Sequence, residues 1–224
     1  MAALRDEVVL KVVAHESQED YSSWLLPAVR ECLEGSGLEM KDVDAYAAAA
    51  GPGSFTGVRV GLTTVKAWAE VYGKRITAVS RLEALGAEAP GGTAWVAAYA
   101  NAQRGQVFGA VYQRNGTSLM RVGDEMVIAP GKFVEAGAEL ANAESISWVS
   151  TDAECIVSEE AWKARGMRGE RVHRVSSVRA PMIGRIGLAA LAEGRFTDAL
   201  ALDANYVRRP DAEIFWKGSA GHGR

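Results

Sequence analysis

A glycine-rich segment between a predicted strand and a predicted helix is the strongest candidate for chemistry in this sequence. It reads Gly51-Pro-Gly-Ser-Phe-Thr-Gly-Val-Arg-Val-Gly61. Glycines at such a turn let the backbone fold tightly and point free N–H groups of the helix start outward, an arrangement that suits an anion. The candidate anion-binding loop consists of Gly51, Gly53, Ser54, Thr56 and Gly57.

The loop does not match the catalytic loops that it superficially resembles. No Gly-Lys-[Ser/Thr] follows it, as a Walker A loop requires. Ser54 does not stand at the centre of a Gly-x-Ser-x-Gly nucleophile elbow. We therefore interpret Ser54 or Thr56 as the N-cap of the following helix rather than as a nucleophile.

The histidines and carboxylates form no recognisable catalytic or metal-binding set. His15, His173 and His222 are isolated from one another, and no His-x-x-x-His pair occurs. None of the 28 acidic residues stands at a spacing that separates a general acid or base from surface charge. The sequence predicts no catalytic residue, no metal site and no cofactor held by this chain alone.

The composition excludes several classes of protein. The chain has 224 residues, 48% of them hydrophobic, and 25 Lys plus Arg against 28 Asp plus Glu give a net charge of -3. This balance lacks the clustered basic residues that bind nucleic acid through bulk electrostatics. No apolar run is long enough for a membrane span, and no signal peptide is evident. We expect a soluble, cytoplasmic protein in which Cys32 and Cys155 are reduced.

Two predicted helices define a candidate binding face. Apolar residues recur at helical spacing over residues 21–35, where Pro27 either kinks the helix or lies in its first turn, and again over residues 58–72. Gly57 and Gly61 share one face of the second helix. That face either admits another helix at close range or packs on the protein's own sheet, and periodicity favours neither. The opposite face carries the polar stripe Arg59, Thr63, Lys66 and Glu70.

The order of predicted elements is similar in the two halves of the chain. The second half contains a three-stranded meander, with a hairpin turn at Asn115-Gly116, followed by helix, strand, helix, strand and helix. The first half repeats this order in shortened form, and Pro90-Gly-Gly92 is the best linker. The sequence predicts an α/β fold of two tandem ribonuclease-H-like or actin-like (ASKHA) lobes, residues 1–92 and 93–224, the first lacking its opening strand.

The segment over residues 51–61 closely resembles the signature of the bacterial TsaB (YeaZ) family, the non-catalytic paralogue of the glycoprotease-like TsaD proteins. Other segments that resemble the family follow in order along nearly the whole chain: Ser22-Ser-Trp-Leu-Leu-Pro27, Val79-Ser-Arg-Leu-Glu-Ala-Leu85, Ala100-Asn-Ala-Gln-Arg-Gly-Gln-Val-Phe108 and Tyr206-Val-Arg208. Four residues depart from the family's usual Asp, Arg, Glu and Tyr, namely Asn101, Gln103, Gln106 and Phe108.

The resemblance implies an accessory subunit for threonylcarbamoyl transfer to the adenosine next to the anticodon of tRNA. Its partners would be a TsaD-like transferase subunit and a TsaE-like ATPase, or a second copy of the chain when TsaD is absent. The tRNA would be contacted only indirectly, and a nucleotide would bind only at the joint with TsaD. The pairing surface would use the two helices, through Trp24, Leu25, Ala28, Cys32, Gly57, Val58, Gly61, Leu62, Val65 and Trp68.

Other functions stay open at this point. The chain could be a stand-alone peptidase of the glycoprotease type, although it lacks paired histidines. It could be an actin-like phosphotransferase, although such enzymes hold phosphates with Asp-x-Gly hairpins and the turn Asn101-Ala-Gln-Arg-Gly105 lacks the acid. A homodimer with no role in transfer would use the same two helices.

Overall fold

The first half of the chain contains two strand pairs and three helices. The computed structural model describes residues 1–15, 20–203, 205 and 207. Its first elements are β1 (Ala2–Arg5), β2 (Val8–Val12), α1 (Tyr21–Glu34), a 3-10 turn (Met40–Asp42), β3 (Ala45–Gly51), α2 (Phe55–Tyr72), β4 (Arg75–Ser80) and α3 (Arg81–Gly86).

The second half contains a meander followed by alternating helices and strands. Its elements are β5 (Trp95–Asn101), β6 (Val107–Asn115), β7 (Ser118–Ile128), α4 (Pro130–Leu140), β8 (Ile146–Ser150), α5 (Glu154–Val157), α6 (Glu160–Met167), β9 (Val172–Arg174) and α7 (Ala180–Ala192). Within the described ranges, no helix combines the length and the apolar character needed to cross a membrane.

A five-stranded sheet of order β7-β6-β5-β8-β9 forms the centre of the second half. The central strand β5 pairs antiparallel with β6 and parallel with β8. Its successive side chains point to opposite faces, so the sheet has a core on each side. Phe133 of α4 and Trp162 of α6 cover one face, and Leu82 and Leu85 of α3 cover the other.

The strands of the first half form two separate sheets. β1 pairs antiparallel with β2, and β3 pairs parallel with β4. In the second half, β5 joins the hairpin β6–β7 to the parallel strands β8 and β9. In the first half, no described strand joins the antiparallel pair β1–β2 to the parallel pair β3–β4 in this way. The α/β class is confirmed, and both the missing opening strand and the description as two tandem lobes stay predictions.

Two helices cross between the halves. α3 belongs to the first half in sequence but packs on the five-stranded sheet. α7 belongs to the second half but packs on β1, β3 and β4, with Gly187 directly against Ala47. Thr197 then forms an antiparallel bridge with Ile76 of β4. The division at residues 92 and 93 stays a prediction about the order of the chain, since packing extends across it.

Most elements agree with the sequence prediction, and two differ in detail. Pro27 lies inside α1, so it is not a first-turn residue. The helix predicted over residues 158–165 is replaced by α5 and α6, separated by an extended Glu159. Ile156 and Trp162 both enter the same core. The break at Glu159 lets the side chains of both short helices turn into that core.

Candidate functional site

The glycine loop connects the end of β3 to the start of α2. Its Gly51 has φ +114 and a cis peptide bond to Pro52. A Cβ at Gly51 would lie 2.8 Å from the carbonyl oxygen of Asn205, so this close approach requires glycine. Ser54 is the N-cap of α2, and its Oγ accepts a hydrogen bond of 3.4 Å from the N–H of Gly57. The N-cap interpretation is therefore confirmed for Ser54, and Thr56 is exposed inside the helix.

Part of the predicted pairing surface is buried inside the chain. Ala28 and Cys32 of α1 pack under the β1–β2 hairpin, and Leu62 of α2 packs on β3 and β4. The half-buried residues of α2 that pack against the same cluster as Leu62 are Val58 and Val65. The ring of Trp68 lies 5.9 Å from that of Tyr46. These side chains hold the two helices on the strands. In this conformation of the chain, a partner protein would contact the side of the helices that faces away from the strands.

The remaining face of α1 and α2 is open. No atom lies within 4 Å of a Cβ built on Gly61. A Cβ on Gly57 would lie 3.7 Å from the ring of Tyr21, which places the start of α1 beside the start of α2. On α1, Trp24 and Leu25 are half-buried, whereas Leu26 is 63% exposed. Trp24 packs against the cluster of Ala28 and Cys32, so we define the open helix face as Leu25, Gly57 and Gly61.

The turn that departs from the family pattern is held by its own side chain. Asn101 Oδ1 accepts a 2.7 Å hydrogen bond from the N–H of Gln103, and its Nδ2 donates to Asp152 Oδ2 at 3.4 Å. Gln103 and Arg104 both have positive φ. Phe108 is buried on the face of the sheet that α3 covers. These residues have structural roles in the described turn.

A buried carboxylate that the sequence analysis missed lies between the two halves. Glu125 of β7 has a side chain only 3% exposed, and Arg121 Nη1 lies 3.8 Å from its Oε1. It accepts hydrogen bonds from the hydroxyl of Ser80 and, at 2.7 Å, from Asn205 Nδ2. It thereby ties β7 to the carboxyl end of β4. Ser80 is 45 residues away, so no local pattern could have singled out this acid among the others.

The neighbouring Glu83 gives the stability of the protein a dependence on pH. Burial raises the pKa of Glu83 above its ordinary value of 4.5, and the charge of Glu125 acts in the same direction, opposed by Arg195 and Arg121. Between the unfolded and the folded pKa, the folded protein binds more protons than the unfolded chain. Stability contributed by Glu83 is therefore lost as pH rises through that window.

We expect Glu83→Gln to gain stability relative to the wild type as pH rises from below 4.5 to neutral, because glutamine stays uncharged. Urea unfolding of both proteins across this range checks the prediction. Glu139→Gln, on an exposed position of α4, is the control and should follow the wild type. Parallel stability curves for Glu83→Gln and the wild type would contradict the assignment.

The thiols and histidines offer no nucleophile or metal cluster in the described part of the chain. Burial, assisted by the carboxylate of Asp152 3.2 Å from the sulfur, raises the pKa of Cys155 to about 11. Burial also raises the pKa of Cys32, so both thiols are protonated at neutral pH. No described group of three His, Cys, Asp or Glu residues could hold a metal ion. His15 stacks on an aromatic ring of α1, and His222 lies outside the described residues.

Comparisons with known proteins agree with one another. The model of a family described as TsaD, tRNA N6-adenosine threonylcarbamoyltransferase, matches residues 11–163. The tRNA threonylcarbamoyladenosine biosynthesis protein TsaB of Bacillus subtilis is 33% identical over 129 residues, which span 57% of this chain and 56% of that protein. TsaB of Escherichia coli is 27% identical over 203 residues, spanning 88% and 84%. The solved structure of YeaZ from Pseudomonas aeruginosa has a TM-score of 0.66 and 25% identity, covering 92% of both chains.

Proposed function

Because this chain belongs to the TsaD family and is similar to the TsaB (YeaZ) proteins, we propose that it takes part in tRNA threonylcarbamoyladenosine biosynthesis as a non-catalytic scaffold. In this role it pairs with a TsaD-like transferase subunit and works with a TsaE-like ATPase. It holds no cofactor of its own, and a nucleotide binds only at the joint with TsaD. The tRNA is contacted only indirectly.

The open helix face is the observation that carries this proposal. Gly61 has free space where a Cβ would point, and small residues on a helix let a second helix approach closely. On α1, the half-buried Leu25 lies one turn after Tyr21, whose ring is 3.7 Å from a Cβ built on Gly57. The start of α1 and the glycines of α2 therefore form one surface that a partner helix can approach. The buried residues Ala28, Cys32 and Leu62 fix this surface from below.

The states of Ser54, Cys32 and Cys155 in the described part of the chain support an accessory role. The hydroxyl of Ser54 caps α2, and both described thiols have raised pKa values. A catalytic serine or cysteine instead needs an adjacent base or a lowered pKa. The proposal therefore places the transfer chemistry on the partner subunit and assigns packing contacts to this chain.

Gly61→Leu is expected to weaken the one-to-one complex with TsaD from the same organism, so that less of the mixture elutes as complex. A leucine side chain fills the space that the partner helix needs, and an overpacked interface of this kind loses on the order of 10- to 100-fold in affinity. The free chain has room for the side chain, so its fold is expected to remain. Size-exclusion chromatography with light scattering on each chain and on the mixture measures the result.

Thr63→Leu is the matched control, because it adds a similar side chain to the exposed, opposite face of α2. It should leave the complex intact. A complex that forms equally well with Gly61→Leu would show that α2 is not part of the pairing surface. If the wild-type chain forms only its own dimer in the presence of TsaD, the scaffold role is wrong and self-association takes its place.

A further inference from the structure

Two arginines lie near the carboxyl ends of β3 and β4, one directly after β4 and the other just before α7. These strands are parallel, so their carboxyl ends lie at the same edge, where the glycine loop follows β3 and Arg81 follows β4. The first turn of α7 packs at this edge, since Ile183 shares a core cluster with Val79 and Ala84. Arg179, the residue just before α7, is thereby brought to the end of the sheet where Arg81 lies.

Arg179 is buried with donors that no protein group uses. It is 6% exposed, and its Nη1 forms an ion pair with Glu88. Its Nε and Nη2 are buried without a hydrogen-bond partner. A guanidinium group has five N–H donors and no acceptor, so leaving two of its nitrogen atoms unsatisfied in the interior is costly. Such an arrangement is typical of a site whose acceptor comes from outside the chain.

Arg81 brings a second positive charge to the same place. Its Nη1 lies 3.6 Å from the position of a Cβ on Gly53, so the guanidinium group lies against the glycine loop. Burial lowers the pKa of both Arg81 and Arg179; at Arg179 the charge of Glu88 opposes this shift and the charge of Arg81 adds to it. Within the described residues, Glu88 is the one carboxylate that pairs with either of them. Neither arginine pairs with the other buried carboxylate at this sheet edge, Glu125, which is held by Ser80, Asn205 and Arg121.

We propose that the glycine loop at Gly53, together with Arg81 and Arg179, binds the phosphate group of a small molecule. The planar guanidinium group of an arginine can donate two parallel hydrogen bonds to phosphate oxygens. The phosphate would also supply the negative charge that Glu88 alone does not provide for the two arginines. Arg81 is half-buried and reachable from solvent, whereas Arg179 is covered. This depth favours a small phosphate compound over the backbone of a nucleic acid. The inference concerns this chain alone and does not depend on its pairing with TsaD.

Pyrophosphate is the probe for this site. We expect millimolar pyrophosphate to raise the thermal unfolding midpoint of the full chain by about 2 to 4 °C, compared with sodium chloride of equal ionic strength. Arg81→Gln should lose this shift, and Arg81→Lys should keep only part of it because an ammonium group cannot donate in the same fork. Removing a buried cation that has no ion-pair partner is expected to leave the fold intact, which circular dichroism checks.

Arg171→Gln is the control, because Arg171 is exposed and lies outside the proposed site. It should respond to pyrophosphate as the wild type does. An equal shift in wild type and Arg81→Gln, or no shift in the wild type, would overturn the proposal. A dicarboxylate such as malonate is tested in the same way, and a response as large as that to pyrophosphate would show that the site does not select phosphate.

Discussion

Glu170→Ala is expected to lower the free energy of unfolding by about 3 to 5 kcal/mol, the usual effect of removing one partner of a buried ion pair. The side chains of Glu170 and Arg165 are only 4% and 5% exposed, and Arg165 Nη1 lies 3.2 Å from Glu170 Oε1. The other carboxylate oxygen accepts a 2.6 Å hydrogen bond from Trp148 Nε1. Alanine therefore leaves both a buried guanidinium group and a buried indole N–H without this acceptor.

Urea unfolding followed by tryptophan fluorescence measures this effect. Glu170→Gln should lose less than alanine, because its amide oxygen can still accept from Trp148 while the charge is absent. Glu160→Ala is the matched control, since Glu160 pairs with Lys163 on an exposed helix surface, where an ion pair contributes about 0 to 1 kcal/mol. Equal losses for Glu170→Ala and Glu160→Ala would contradict the assigned role of the buried pair.

Gly187→Val is expected to lower the free energy of unfolding by about 3 kcal/mol through overpacking. A Cβ at Gly187 would lie 2.5 Å from both Ala47 Cβ and Thr77 Oγ1. The Ala47 methyl group is fixed to the backbone of β3 and cannot rotate away, so α7 must separate from β3 and β4. α7 also packs on β1, where a Cβ at Gly184 would lie 2.8 Å from the side chain of Leu4. The substitution thus disturbs the helix that connects the two small sheets.

The same measurement on Ala189→Val controls for the lower helix propensity of valine, because Ala189 lies on the exposed side of the same helix. That variant should lose no more than about 0.7 kcal/mol. Gly187→Ala should fall between the two. If Gly187→Val were as stable as Ala189→Val, α7 would not be held against β3 and β4 at this position.

The local elements could be predicted because their signals lie within a few residues. Glycine at position 73 ends α2 in a left-handed conformation with φ +62, as the sequence suggests. Ser54 caps the helix through a backbone N–H three residues away. The Asn115-Gly116 hairpin likewise forms where its turn residues predict, with Gly116 at φ +61. Each of these features depends on backbone conformation and on neighbours close in sequence.

The division of the α1–α2 face could not be predicted in this way. Helical periodicity places Gly61 and Leu62 on adjacent positions of α2 but does not tell which strands lie beneath them. In the structure Leu62 is 5% exposed, whereas a Cβ on Gly61 would meet no atom. The pairing surface on these two helices stays a prediction, and only their packing on the strands separated the covered side chains from the open ones.

The sequence by itself determined the α/β element order, the glycine loop and the family to which the chain belongs, because these depend on short patterns and on residue identity. Tertiary structure decided which charges are buried and which of them lie together. Glu125 meets Ser80 from 45 residues away, and Arg179 meets Glu88 from 91 residues away. Such contacts form only when helices cross between the halves of the chain, and their energy depends on burial, which no local pattern reports.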